Sequence, residues 1–261
     1  MAYFERLSPT AFRATEHTGG AWREDEQHVA ASLGLLAHIV ELDRDERRSD
    51  TSVLTRLSFD ILGTMPVGDV ETTVRVLRPG RTIELVEARM SHDGRDAVVL
   101  RAWLQTTGDT TGVAGTSIAP LPAPGEFPEW SPTAAWPGGF IESVTVHRNH
   151  IEPGRARFWA RTNTPLVDEP HSRLAASVGL FDIANGMAVR EDPERVHFPN
   201  LDLTAHLHRS PVDDWVGFDT TVTFSADGVG LTSSVLHDVE GPIGSLNQIL
   251  TVRPGRPDRP A

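Results

Sequence analysis

Ala30-Ala31-Ser32-Leu33-Gly34-Leu35-Leu36 and Ala175-Ala176-Ser177-Val178-Gly179-Leu180-Phe181 are two versions of one seven-residue phrase, set 145 residues apart. Self-similarity over that distance is the mark of a duplicated unit, and it constrains the architecture before any single element does. A second echo agrees. Ser91-His92-Asp93-Gly94 and Ser225-Ala226-Asp227-Gly228 lie 134 residues apart, each offering an Asp-Gly hairpin turn after a strand-like run. Each copy of the first phrase sits in a helix-like stretch, residues 24–42 and 172–190, apolar or small on nearly all faces, which predicts two buried helices. Alternating β-branched runs follow each helix, at 55–62, 70–77, 82–90 and 97–106, then at 198–208, 215–224, 229–237 and 245–252. Their short connections favour antiparallel hairpins, so each half reads as one helix wrapped by a mostly antiparallel sheet, an α+β class.

The 261 residues are expected to divide into a first repeat at 1–113, a surface linker at 114–139, a second repeat at 140–253 and a frayed tail at 254–261. The linker assignment rests on Pro120, Pro122, Pro124, Pro128, Pro132 and Pro137, with little periodicity around them. The second repeat opens on an alternating run at 140–147, and the tail is too proline-rich to pack.

Composition excludes several chemistries. There are 24 basic and 36 acidic residues, a net charge of −12, which argues against affinity for nucleic acid through phosphate neutralisation. Cysteine is absent, which removes disulfides, thiolate metal sites and cysteine nucleophiles. Every basic residue is arginine, so Schiff-base chemistry and a phosphate-binding P-loop lysine are also removed. The start lacks a basic region followed by an apolar run, and no stretch reaches 18 apolar residues, so a cytoplasmic protein with no membrane partner is expected.

Within residues 174–189 the only charge is Asp182. An ionised carboxylate in an apolar helix must find partners or raise its pKa, and both outcomes are what general-base sites use. On a continuous helix Asp182 shares its stripe with Ala175, Val178, Gly179, Gly186 and Val189, small groups that leave room for a cleft and make Gly179 a candidate substrate-binding residue. The bland alternative is a buried Asp satisfied by backbone amides or an arginine. The equivalent position in the first helix is Ala37, so one active site per chain is expected. Strict alternation over 200–208 puts Asn200, Asp202, Thr204, His206 and His208 on one strand face. A solvated sheet face is the commoner meaning of such a row, and a His-x-His metal site the sharper, less favoured one.

Taken together, Glu-His-Thr-Gly-Gly-Ala-Trp (16–22), Asp-Glu-Gln-His (25–28), Asp-Ile-Ala-Asn-Gly-Met (182–187), Asn-Leu-Asp-Leu-Thr (200–204) and Gln-Ile-Leu-Thr-Val-Arg (248–253) resemble the acyl-CoA thioesterases of the double hotdog type. The resemblance spans nearly the whole chain and is carried by the order and separation of the motifs. It implies a double hotdog fold, an acyl-CoA substrate, no cofactor, no metal and a homodimer or higher homo-oligomer. It also implies Asp182, Asn200 and Gln248 as the catalytic set, with Asn200 standing where the family carries Thr. Asp182 would activate a water that Asn200 and Gln248 fix, and amides beside His28 and Val29, at a helix N-terminus, would receive the oxyanion. Val29-Ala30 stand where related chains carry a Gly pair. With Asp202, these residues complete the candidate substrate-binding set. Strict alternation points Asn200 away from the helix, so contact with Asp182 requires a bulge or the end of the strand. Two rival readings remain: a hotdog-type hydratase or dehydratase that relies on His28 or His206, and a non-catalytic acyl-CoA-binding module.

Overall fold

The computed structural model describes residues 1–255. Its main sheet has thirteen strands: β1 (Phe4–Arg6), β2 (Ala11–Ala14), β3 (Ser52–Ile61), β4 (Asp69–Arg78), β5 (Ile83–His92), β6 (Arg95–Thr106), β7 (Glu129–Trp130), β8 (Val144–Glu152), β9 (Arg155–Thr162), β10 (Asp202–Leu207), β11 (Val216–Phe224), β12 (Val229–Asp238) and β13 (Gly241–Thr251). They lie in the order β1-β2-β4-β5-β6-β3-β10-β13-β12-β11-β9-β8-β7, and all the pairings are antiparallel. The halves join where β3 pairs with β10, and there Ser58 and Thr204 share a hydroxyl hydrogen bond of 3.0 Å. All eight alternating runs read from the sequence are strands, within a few residues at each end, because inward positions such as Val86, Ala88 and Met90 are buried against the helices.

Helix α1 (Val29–Arg47) starts and ends later than residues 24–42 suggest. Arg23–Gln27 instead form a short strand against Gly19–Gly20; the Gln27 N–H reaches Met65 O at 2.8 Å, and the Val67 N–H reaches Asp25 O at 3.1 Å. Those bonds hold the segment extended, so the helix begins only after His28, whose Nδ1 accepts from the Ala30 N–H at 3.2 Å. At the other end Arg47 pairs with Asp43 one turn back and with the buried Glu84 of β5, which carries the helix past Leu42.

The second predicted helix is broken. Helix α3 (Arg173–Val178), capped by Ser172 Oγ, ends at Gly179; a 3₁₀ turn follows at Phe181–Ile183, then one helical turn, α4 (Ala184–Met187). The Leu180 N–H bonds to Ser177 O, three residues back, and this tightening rotates Asp182 off the stripe it would share with Ala175 and Val178 on a continuous helix. Residues 140–147 likewise split into a short helix, α2 (Gly139–Glu142), and the start of β8.

The proline-rich segment is more than a surface linker. Phe127, Pro132 and Trp136 are buried, Trp130 pairs in β7 with Val146 of β8, and Pro122 O accepts the indole N–H of Trp159 at 2.9 Å. Prolines forbid a long ladder here, while the aromatic residues between them anchor the segment to the second half. The tail is pinned at its start, since Arg253–Pro254 pairs with Val196–His197 and the Gly255 N–H reaches Arg195 O at 2.6 Å. The rest of the expected fray, 256–261, lies outside the described residues. Among the described residues no helix is long and apolar enough to cross a membrane.

The repeated phrase has a direct physical meaning. Gly34 and Gly179, equivalent under the 145-residue offset, touch each other where α1 crosses α3. A Cβ on Gly34 would stand 2.9 Å from both Gly179 Cα and Ala175 O. The two copies are thus small because each is the other's packing partner. Gly34→Ala improves intrinsic helix propensity, yet it should destabilise the protein by about 1–3 kcal/mol through this contact. Urea unfolding checks it: the expected result is a lower midpoint, and an unchanged or raised one removes the contact from the account.

Candidate active site

Asp182 lies in the 3₁₀ turn between α3 and α4, with 5% of its surface exposed. Its Oδ1 accepts the Asn200 side-chain amide at 2.6 Å and the Gln248 side-chain amide at 3.0 Å. Asn200 reaches it because β10 begins only at Asp202. Before the strand the alternation lapses, Leu201 is exposed, and the Asn200 amide turns inward, donating also to Asp202 O at 3.1 Å. Gln248 projects inward from β13 between Leu246 and Leu250 and is fully buried, with Oε1 left without a partner among the described residues. His28 approaches from the first half, Nδ1 3.9 Å from Asp182 Oδ2, its ring stacked on Phe140 at 4.4 Å.

Burial pushes the Asp182 carboxyl up to about 7, although the Asn200 and Gln248 amides pull it back towards the ordinary range. Burial also pushes the His28 imidazole down to about 4. Between those values both groups are neutral, and above about 7 only the carboxylate is charged, so the two do not form an ion pair near neutrality. The cap agrees: Nδ1 accepts from Ala30, which places the His28 proton on Nε2 and leaves no donor facing Asp182. The carboxylate is therefore held by two neutral amides alone, and its Oδ2 takes no hydrogen bond from the described residues.

Asp182 opens onto a mainly apolar cavity of about 160 Å³, lined also by His28, Val29, Met65, Ile141, Ile183, Met187 and Asn200. An aromatic group stands at its side: Trp22 meets Trp136 edge-on at 4.9 Å, and Phe198 lies 5.6 Å from Trp22 and 5.8 Å from Trp136. The close backbone approach absent from Val29-Ala30 is made elsewhere. A Cβ on Gly20 would stand 2.4 Å from His28 N, so the Gly pair at 19–20 is what lets that loop lie against the helix start.

The structure brings Asp182, Asn200 and Gln248 together and sets His28 and Val29 beside them. Gly179 is not in the cavity; the break after α3 leaves it at the helix crossing with Gly34. Asp202 is also outside, its Oδ1 accepting the Ile249 N–H at 2.7 Å on the outer side of the sheet, and His206 and His208 are exposed. No three His, Cys, Asp or Glu side chains converge as a metal site among the described residues. Sequence reasoning missed Trp136, hidden by the prolines around it, and gave Trp22 no role of its own. An isolated tryptophan in a proline-rich stretch was the available signal.

A model of the acyl-CoA thioesterase N-terminal domain matches residues 18–105, and one of the acyl-CoA thioesterase C-terminal domain matches residues 116–252. No curated protein matches the sequence. Among solved structures, a thioesterase-like protein of Novosphingobium aromaticivorans is 17% identical, with 97% of this chain and 99% of that one covered and a TM-score of 0.74. A hot dog protein of Alicyclobacillus acidocaldarius is 12% identical, with 95% of each chain covered and a TM-score of 0.74. An acyl-CoA thioesterase II of Mycobacterium marinum is 17% identical, with 97% and 96% covered and a TM-score of 0.69. The fold is a double hotdog.

The electrostatics of Asp182 carry a measurable consequence. Its pKa lies above the ordinary 3.8, so the folded chain binds this proton more tightly than the unfolded chain does. The associated stability is complete below about pH 4 and lost as pH rises through about 7, where the buried anion costs roughly 4 kcal/mol. Asp182→Asn removes the charge and keeps an acceptor for both amides. Its melting temperature should exceed that of the wild type at pH 8.5 and converge with it near pH 4. A difference independent of pH would show that Asp182 ionises without penalty.

Proposed function

This chain belongs to the acyl-CoA thioesterase family, and we propose that it hydrolyses an acyl-CoA thioester to the free acid and CoA with Asp182 as general base. One observation carries the reading: a buried carboxylate raised to about 7, one oxygen tied by two amides, on the wall of an apolar cavity at the start of a nineteen-residue helix. In this reading Asp182 Oδ2 takes a proton from a water as the water oxygen adds to the thioester carbonyl carbon. Gln248 acts through Asp182 Oδ1, which its side-chain amide holds, since it does not line the cavity itself. The carbonyl oxygen becomes an oxyanion beside the Val29 amide, which the His28 cap leaves free because it takes the Ala30 N–H instead. Collapse of the intermediate breaks the C–S bond, and the proton on Asp182 passes to the departing thiolate. Asn200 and Gln248 fix the carboxylate and keep its pKa from rising further, so Asn in place of Thr still supplies the donor this geometry uses.

Hydration of an acyl-CoA double bond is a second reading, favoured by His28 standing 3.9 Å from Asp182. His206, the other histidine considered for it, faces away on the exposed side of β10. A non-catalytic acyl-CoA-binding module is the third. Thiol release from saturated acyl-CoAs separates them, because only hydrolysis gives a free thiol from a substrate with no double bond.

Hydrolysis should show kcat/KM rising with pH through about 7 to a plateau, as Asp182 ionises. Asp182→Ala should lower the plateau by roughly 10²- to 10⁴-fold with folding retained. Asn200→Ala and Gln248→Ala should reduce the rate and also move the acidic limb upward, since each removes a donor that stabilises the anion. An Asp182→Ala enzyme with the wild-type rate, or a limb that stays in place in both amide variants, contradicts this assignment.

A further inference from the structure

We propose that the cavity selects short acyl groups, of about six carbons or fewer, and that Trp136 sets the limit; this rests on the thioester hydrolysis proposed above and names its substrate class. The lining divides by exposure. Trp22, 42% exposed, stands at the rim with Arg23, Gly63, Thr64 and Pro199, whereas Trp136, Ile141, Ile183 and Met187 are at most 4% exposed and close the inner side. A CoA moiety, large and charged, has only the rim to occupy, so the acyl group points inward from Asp182. An apolar cavity of about 150 Å³ holds a six-carbon ring, and the whole pocket here, rim included, is about 160 Å³.

The inner wall is also fixed in place. The Trp136 indole N–H donates to Gly186 O at 2.9 Å, and its ring is braced by the edges of Trp22 and Phe198. Gly186 lies directly beneath it: a Cβ there would stand 3.3 Å from Trp136 Nε1. Swinging the ring away would break a hydrogen bond to a backbone carbonyl and two aromatic contacts, so the cavity does not lengthen simply because a longer chain arrives. Methylenes beyond the wall stay near the rim, where they gain little burial that could be used in the transition state. Trp136 lies outside the strands and helices, so its replacement leaves sheet register intact.

The test is thiol release from straight-chain acyl-CoAs of two to sixteen carbons, kept below micelle-forming concentrations. It compares the wild type with Trp136→Leu and Met187→Ala, each checked for folding by thermal unfolding. The wild type should have its highest kcat/KM at four to six carbons and at least a tenfold lower value at twelve and beyond. Trp136→Leu should move the maximum to eight carbons or more. Met187→Ala, from a different element of the same wall, should move it in the same direction and keeps the test open should the tryptophan variant not fold. A wild-type maximum at eight carbons or longer, or a maximum unmoved in the folded variants, overturns the proposal. Absence of thiol release at every length would instead sink the hydrolysis, and this proposal with it.

Discussion

The buried carboxylate of Asp182, held among the described residues by two neutral amides and no cation, is the interaction on which the rest of this structure depends. A guanidinium at hydrogen-bonding distance would stabilise the anion and hold its pKa far below neutrality. Asn200 and Gln248 give enough stabilisation to fix one oxygen while burial keeps the proton affinity high. The chain has 24 arginines, and three of the buried carboxylates outside the site show the contrast. Glu84 is paired with Arg47 and Arg48, Glu87 with Arg75, Arg89 and Arg101, and Asp238 with Arg209. Glu87 and Asp238 accordingly sit below their ordinary pKa, whereas Asp182 sits above it.

Holding that carboxylate takes parts from both halves. The 3₁₀ turn after Gly179 aims it, the delayed start of β10 frees Asn200 to turn inward, and β13 brings Gln248 from the far end of the chain. The first half supplies the helix start at His28 and Val29, and the segment between the halves supplies Trp136. These parts meet because α1 and α3 cross at Gly34 and Gly179, close enough to set the start of one helix beside the end of the other.

The duplication is symmetric in scaffold and asymmetric in chemistry. Ala37 occupies the place equivalent to Asp182, and one turn later the buried carboxylate of Glu41 lies close to the start of the opposite helix. Glu41 accepts the hydroxyl of Ser172, the cap of α3, and lies 3.9 Å from Arg44. Where the second half presents an open acid to a cavity, the first half uses its acid to cap and brace a helix.

Much of this was legible in the chain itself. The 145-residue echo, the alternating runs and the one charge within the sixteen residues 174–189 gave the duplicated helix-and-sheet architecture and singled out Asp182, because periodicity and burial are local properties of a sequence. The motif resemblance added Asn200 and Gln248, which no local pattern places near residue 182. Tertiary structure alone decided that the second helix breaks, since a lone Gly does not announce a 3₁₀ turn, and that Asn200 leaves the polar row of its strand. It also decided that Gly179 and Asp202 lie outside the cavity, and that a tryptophan among prolines forms a wall. Those outcomes are set by contacts between segments 18 to 145 residues apart, and hydrogen bonds and contacts made at that separation leave no period in the sequence.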